Sequence, residues 1–166
     1  IFAILLSLFA AVMYIRVRFA EYSFGFAAVA ALTHDVLITL GALAVADNFI
    51  PFIDTEINLP MIAAFLTIIG YSLNDTIVVF DRVRENLPRM EGSLSSIIDR
   101  SINQCLSRTM LTSLTTMISV SLLLAFNLGT GNVIEGFAFA LLVGVIVGTY
   151  SSMFIASPVL LWLESR

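Results

Sequence analysis

The sequence predicts an all-α membrane protein, a polytopic bundle of five spanning helices with one short helix at the membrane surface. Of its 166 residues, 59% are hydrophobic and only 12% are charged, whereas soluble domains carry about 25% charged residues. The apolar residues form long continuous runs, and a helix needs about 20 such residues to cross a bilayer. These runs do not alternate with polar residues as the strands of a membrane barrel do.

Five apolar runs divide the chain, which we interpret as a single membrane domain over residues 1–166. Short polar connections separate the five predicted spans, which are residues 1–15, 22–46, 59–80, 106–128 and 133–163. Pro60 suits the first turn of the third span, and Pro88 is expected to end the helix that precedes it.

The longest polar connection contains a second helical pattern. Residues 94–105 place apolar side chains at helical spacing, which predicts an amphipathic helix lying on the cytoplasmic surface of the membrane. A helix packed against the bundle is the alternative that the same pattern allows.

The arginines predict the orientation of the bundle. The chain contains no lysine, and with five spans every arginine falls on the same side: Arg16, Arg18, Arg82, Arg84, Arg89, Arg100, Arg108 and Arg166. Positive residues are retained on the cytoplasmic side. The N-terminus is therefore predicted outside and the C-terminus inside. We also expect a further spanning helix and an external domain upstream.

Asp75 is the most informative polar residue of the predicted spans. A charge within the membrane costs at least about 2.5 kcal/mol and usually marks an ion or proton path. Asp75 and its neighbour Asn74 lie in the third span, at a depth similar to that of Arg108 in the fourth. Asp75 can be ionised and paired with Arg108 or His34, or protonated because burial disfavours the charge, or can alternate between these states. A permanent structural pair is the competing interpretation.

Arg108 begins a polar stripe on the fourth span. Thr112, Thr115 and Ser119 follow it at helical spacing. Hydroxyl groups at this density either join helices or line a hydrated path. Because Arg108 lies near a helix end, its side chain can also extend to the membrane surface.

His34 and Asp35 form a second ionisable pair, in the middle of the second span. Histidine changes protonation near neutral pH, so a proton relay and a structural hydrogen bond are both open. Adjacent helical residues point about 100° apart, so we expect the two side chains not to face each other.

Small residues recur every four positions along the last span. Gly136, Ala140, Gly144 and Gly148 form this ridge, which allows a neighbouring helix to approach closely. A permanent seam and a sliding seam are both compatible with the pattern.

The sequence offers little support for enzymatic or cofactor chemistry. Cys105 is the single cysteine, which excludes an internal disulfide, and we find no pattern for a metal site or a phosphate-binding loop. We therefore predict a protein that is not an enzyme and that carries no metal, other cofactor or nucleic acid. An intramembrane aspartic hydrolase, with Asp35 and Asp75 sharing a water molecule, is the weakest alternative.

Four segments carry a resemblance to a known family. The segment GYSLNDTIVVFDRVRENL (70–87) resembles the motif in the third-to-last helix of SecF, a subunit of the SecDF protein-export complex. Three further segments match SecF in the same order, namely LTHDVLITLG (32–41), INQCLSRTMLTSLTT (102–116) and GTYSSMFIASPVLL (148–161). Together the matches extend over nearly the whole chain.

The resemblance implies one half of a transporter of the RND superfamily, paired with SecD in a bacterial or archaeal cytoplasmic membrane. Such proteins use the proton-motive force in late steps of protein export, and the positions matched by Asp75 and Arg108 are implicated in proton transport. The implied partners are SecD, the SecYEG translocon, the SecA-driven machinery, exported preproteins and the lipid bilayer. The sequence is compatible with a parent protein that is a separate SecF subunit and with one that is a fused SecDF chain. The alternatives are an assembly subunit whose polar residues only join helices, and an RND-type exporter of small molecules.

Overall fold

The structure is a bundle of α-helices. The computed structural model describes residues 22–49, 53 and 55–164, together with residues 2, 6, 9, 10 and 12–14. No strand occurs among these residues. The helices of the continuous ranges are α1 (Tyr22–Phe49), α2 (Leu59–Asn86), α3 (Leu94–Asn127), α4 (Val133–Phe154) and α5 (Ala156–Glu164). The predicted first span, residues 1–15, lies largely outside the described residues.

Four helical segments of the described chain are long and apolar enough to cross a membrane. They are Tyr22–Phe49, Leu59–Asn86, Leu94–Asn127 and Val133–Glu164. This confirms the prediction of an all-α protein with several spanning helices. Four spans are identified in this part of the chain, while the fifth predicted span stays a prediction.

The surface helix and the fourth span are predicted as two elements, but the structure joins them in one. Helix α3 runs without a break for 34 residues, or about 51 Å, which exceeds the roughly 30 Å hydrocarbon core. No proline or glycine interrupts residues 94–127, so the backbone hydrogen bonds simply continue. The separate interfacial helix is therefore wrong as an element.

The apolar stripe of residues 94–105 packs against the rest of the bundle. Ile98 and Cys105 belong to a buried cluster with Val79 and Phe80 of α2, and Leu94 and Ile102 pack against that cluster. Asn86, the last residue of α2, donates from Nδ2 to Ser101 Oγ at 2.8 Å and to Gln104 Oε1 at 3.0 Å. The packed alternative thus describes this segment.

The last predicted span is divided at Ile155. Helix α4 ends at Phe154, and α5 begins at Ala156. Pro158 explains the break, because its nitrogen has no hydrogen to donate to the carbonyl of Phe154 and its ring crowds that carbonyl. The helical hydrogen bonds resume with Val159 N, which donates to Ile155 O at 3.1 Å.

Helix boundaries follow the side chains beside them. Asn58 accepts a hydrogen bond from Met61 N at 2.9 Å, and Pro60 lies in the first turn of α2, as the sequence predicts. Helix α2 ends before Pro88, also as predicted. Between α3 and α4, Gly129 and Gly131 adopt positive φ angles of 75° and 67°, a conformation that glycine adopts without steric cost.

Helix α4 lies at the centre of the bundle and contacts α1, α2 and α3. Its small residues are the cause. A methyl group added at Gly144 would overlap Ile68, and one at Gly148 would lie 3.0 Å from Ser72 Cβ. From the first contact to the second, the position moves four residues forward on α2 and also four residues forward on α4. The two helices are therefore parallel, and they pack closely along the predicted ridge.

Two apolar clusters form the core. One joins the start of α1 to the end of α2, the start of α3 and α5. The other joins the later part of α1 to the start of α2, to Val120 of α3 and to α4. Where the two clusters meet, the buried residues are polar.

Candidate functional site

The candidate site is this polar layer, which crosses the bundle at the level where the two apolar clusters meet. We use the term for the following residues: Asp35, Tyr71, Ser72, Asp75, Thr76, Thr109, Ser113, Thr149, Ser151 and Ser152. All except the partly buried Tyr71 and Thr149 are fully buried. Buried polar groups are costly unless they are hydrogen-bonded, so the partners of each group decide what it can do.

Asp35 is the most highly connected member of the polar layer. Its side chain is only 1% exposed. Its Oδ2 accepts hydrogen bonds from Ser72 Oγ at 2.5 Å and from Ser151 Oγ at 2.7 Å. These contacts join α1, α2 and α4 at one carboxylate oxygen. Gly148 allows this close approach, since a Cβ there would lie only 3.0 Å from Ser72 Cβ.

His34 also contacts Asp35, contrary to expectation. Its Nδ1 lies 3.1 Å from Asp35 Oδ1, and the imidazole is 32% exposed. Adjacent Cα–Cβ bonds diverge on a helix, but both side chains are long enough to turn toward each other. The two residues are therefore in contact, although only Asp35 lies within the polar layer.

Ser113 forms a second junction in the layer. Its Oγ accepts from Tyr71 Oη at 3.2 Å and from Thr149 Oγ1 at 2.7 Å. Helices α2, α3 and α4 meet at this hydroxyl group. Tyr71 and Ser72 are adjacent on α2, so the two junctions lie at the same height.

Asp75 lies one turn beyond these junctions on α2. It is 4% exposed, and its Oδ2 has no hydrogen-bond partner among the described residues. The adjacent Asn74 amide and the charge of Arg108 both act electrostatically on the carboxylate. No ion pair within 4.0 Å joins the two residues in the described part of the chain.

The hydroxyl stripe that follows Arg108 lies on an exposed face of α3. Thr112 and Thr115 donate to backbone carbonyls of their own helix, and Ser119 donates to Thr115 O at 3.0 Å. Among the described residues, the hydrogen bonds that these hydroxyl groups donate stay within α3. Thr109 and Ser113, on an adjacent face of α3, are buried in the bundle instead.

Glu135 is a buried carboxylate that the sequence analysis did not identify. It is fully buried in the first turn of α4, where its oxygens accept from Gly129 N at 2.8 Å and Gly131 N at 3.3 Å. It fastens the turn between α3 and α4 and benefits from the positive end of the helix dipole. The signal was available, because an acidic residue follows a glycine-rich turn at a helix start.

The described residues contain no group of three or more His, Cys, Asp or Glu side chains that could hold a metal ion. Asp35 and Asp75 also have separate surroundings, and no hydrogen bond joins them. Together, the bundle and its layer define a polytopic helical membrane protein with ionisable residues buried between its helices.

A family model covers the whole chain. The description of this model is protein export membrane protein SecD/SecF, C-terminal, and it matches residues 1–166. The chain therefore belongs to the SecD/SecF C-terminal family of protein export membrane proteins.

Curated relatives indicate the SecF side of this family. The protein translocase subunit SecF of Desulfurispirillum indicum is 55% identical over 99% of this chain and 50% of its own length. The SecF subunit of Rhodothermus marinus is 49% identical over 100% of this chain and 53% of its own length. The chain thus spans about half the length of the curated relatives it matches and corresponds to a C-terminal part of SecF. Both relatives are named as protein translocase subunits.

A solved structure shares the fold. A crystal structure of SecDF from Thermus thermophilus, described as a translocon-associated membrane protein, superposes with a TM-score of 0.78. The identity is 41%, and the match covers 93% of this chain and 20% of that one. At this similarity the helical arrangement described above is that of a membrane part of SecDF.

Proposed function

We propose that this chain is the membrane part of a SecF-type subunit that couples the proton-motive force to late steps of protein translocation. In this proposal Asp75 takes up and releases the proton, and Arg108 stabilises its charged form. Asn74 orients the carboxylate. His34 and Asp35 are further candidates for the relay.

One observation carries the proposal. Asp75 is buried within the bundle, and its Oδ2 has no hydrogen-bond partner among the described residues. An ionised carboxylate in such surroundings lacks the donors that would offset its loss of hydration. A proton on that oxygen removes most of this cost, so the free energies of the charged and neutral forms are brought close together. A group with two accessible charge states is what proton coupling requires.

The proposed assembly follows from the relatives. The matching solved structure is of SecDF, so we propose SecD as the direct partner, with SecYEG, SecA and exported preproteins as further partners. The setting is the cytoplasmic membrane, with the arginine-rich end of the bundle in the cytoplasm, the N-terminus outside and the C-terminus inside.

The test compares Asp75→Asn with the unaltered full-length protein, assembled with SecD in inverted membrane vesicles. Asparagine keeps the shape but cannot release a proton. We expect export without a gradient to be unchanged and the stimulation by a proton gradient to fall at least about tenfold, since a step that needs proton release loses its group. Ser119→Ala is the matched control, because this exposed hydroxyl group bonds only its own helix. Full gradient stimulation in Asp75→Asn would overturn the proposal.

A structural subunit is the second candidate function. The junction at Asp35 favours it, because two serine hydroxyl groups from different helices meet one carboxylate oxygen. In that case Asp75→Asn would lower the yield of the complex with SecD and leave gradient stimulation intact. Measuring co-purification of SecD beside export separates the two functions.

A further inference from the structure

A polar cleft lies between α2 and α3, beside the proposed proton site. It has a volume of about 220 Å³. Charged and amide side chains dominate its wall, which is formed by Val78, Asp81, Arg82, Glu85, Gln104, Cys105 and Arg108. A cavity of this size has room for several water molecules, and a water needs two to four polar partners to be retained. The cleft offers both the space and the partners.

The cleft begins close to Asp75. Val78 lies three residues after Asp75 and therefore on the same side of α2, less than one turn further along. On the facing helix Arg108 lines the cleft and also acts on the Asp75 carboxylate. Of the lining residues on α2, Val78 is therefore the one nearest to Asp75 along the helix.

The other end of the cleft opens at the arginine-rich end of the bundle. Glu85 lines it one residue before the last residue of α2. Arg82 and Arg89 donate to the carboxylate of Glu85, and all three side chains are exposed. The wall is therefore polar over its outer part, while Val78 and Cys105 line it where it adjoins the apolar cluster of α1, α2, α3 and α5.

We propose that this cleft is the hydrated route by which protons pass between Asp75 and the arginine-rich side of the membrane. The proposal rests on the proposed function of Asp75 and adds the route, its wall and its direction. Val78 and Cys105 form the apolar part of its wall, where Cys105 Sγ lies 3.7 Å from Val78 O. Arg108 is at once part of the wall and the charge partner of Asp75.

Cys105 supplies the test, since it is the single cysteine of this sequence. The full-length protein, assembled with SecD and with any cysteine outside this chain replaced, is placed in inverted vesicles. It is treated with a membrane-impermeant cationic methanethiosulfonate. The control carries Val79→Cys in a Cys105→Ser background, because Val79 is also buried but does not line the cleft. Burial suppresses the reactive thiolate at both positions, so we expect Cys105 to react roughly tenfold faster than the control thiol only if the cleft brings water to it.

Equal or slower reaction at Cys105 would overturn the route. That result leaves the proposed function standing if Asp75→Asn still abolishes gradient stimulation. If Asp75→Asn keeps gradient stimulation, the proposed function fails, and the route to Asp75 fails with it whatever the labelling rate. The two proposals therefore fail by different measurements.

Val78 provides a second test of the route. Val78→Phe adds a bulky apolar ring to the apolar part of the wall, whereas Val78→Ala removes two methyl groups from it. We expect Val78→Phe to slow both Cys105 labelling and gradient-stimulated export by about tenfold, because an apolar plug removes water from the cleft. Val78→Ala should slow neither. Slower labelling with unchanged gradient stimulation in Val78→Phe would contradict the route. If Val78→Phe does not accumulate, the labelling rate at Cys105 relative to that at Val79→Cys still decides.

Discussion

Asp35 and Asp75 are both carboxylates buried in the same polar layer, yet their surroundings are opposite. Asp35 Oδ2 accepts hydrogen bonds from Ser72 and Ser151, whereas Asp75 Oδ2 has no partner among the described residues. A carboxylate that receives donors from two other helices stabilises the bundle in its charged form. A carboxylate with an unpartnered oxygen adds a cost to that form. The same residue type is therefore suited to joining helices at one position and to changing its charge at the other.

The largest loss of stability is expected from Gly148→Val, which disturbs the close packing of α2 and α4 beside Asp35. Gly148→Val adds carbon atoms within 3.0 Å of Ser72 Cβ and close to Asp35 Oδ2. Overpacking of this kind costs about 1–3 kcal/mol, so we expect the free energy of unfolding in detergent to fall by that amount. The matched control is Gly70→Val, because a Cβ at Gly70 meets nothing within 4 Å. Equal losses of unfolding free energy in both variants would show that the close packing of α2 against α4 is not the cause.

Replacing Asp35 and Asp75 in turn by asparagine tests the comparison, because the two replacements should change the free energy of unfolding in opposite directions. Asp35→Asn removes charged hydrogen bonds and should lower the free energy of unfolding by about 1–2 kcal/mol. Asp75→Asn removes a buried charge with an unpartnered oxygen and should raise it by about 1 kcal/mol. Thermal or denaturant unfolding of the purified complex measures both. A loss of stability in both variants would mean that Asp75 is held as firmly as Asp35.

The smallest expected effect concerns the second junction. Ser113→Ala removes the acceptor of Tyr71 Oη and Thr149 Oγ1. Hydrogen bonds between membrane helices contribute about 0.6 kcal/mol each, so a loss of about 1 kcal/mol is expected. Thr115→Ala, on the exposed face of the same helix, should change stability very little because its hydroxyl group bonds only its own backbone. Similar losses in both variants would argue against Ser113 as a junction.

Much of the bundle follows from local patterns. Long apolar runs identify four of the helices, and Pro60 and Pro88 mark the ends of α2. The small-residue ridge predicts a seam, and Gly144 and Gly148 lie in one. These predictions succeed because they depend on spacing along a single helix.

The prediction of a separate surface helix failed because its sequence pattern fits two different tertiary arrangements. The amphipathic stripe of residues 94–105 suits a membrane surface and a protein surface equally well. Its packing against α2 and α5 is decided by the neighbours that it meets. The stripe of Thr112, Thr115 and Ser119 is a different case: its hydroxyl groups bond their own helix on an exposed face, and its role stays a prediction.

The sequence by itself determined that the protein is a helical membrane bundle of the SecF type, and it singled out Asp75 and Arg108 as ionisable residues that are predicted to lie at similar depth. Apolar run length and ordered motifs are properties of the chain, so they can be read without coordinates. Only the tertiary structure decided which buried carboxylate is partnered. Ser72 and Ser151 are 37 and 116 residues from Asp35 in the chain. Their hydroxyl groups meet it because the glycine seam brings α2 and α4 together beside α1, and no pattern within one helix records that meeting.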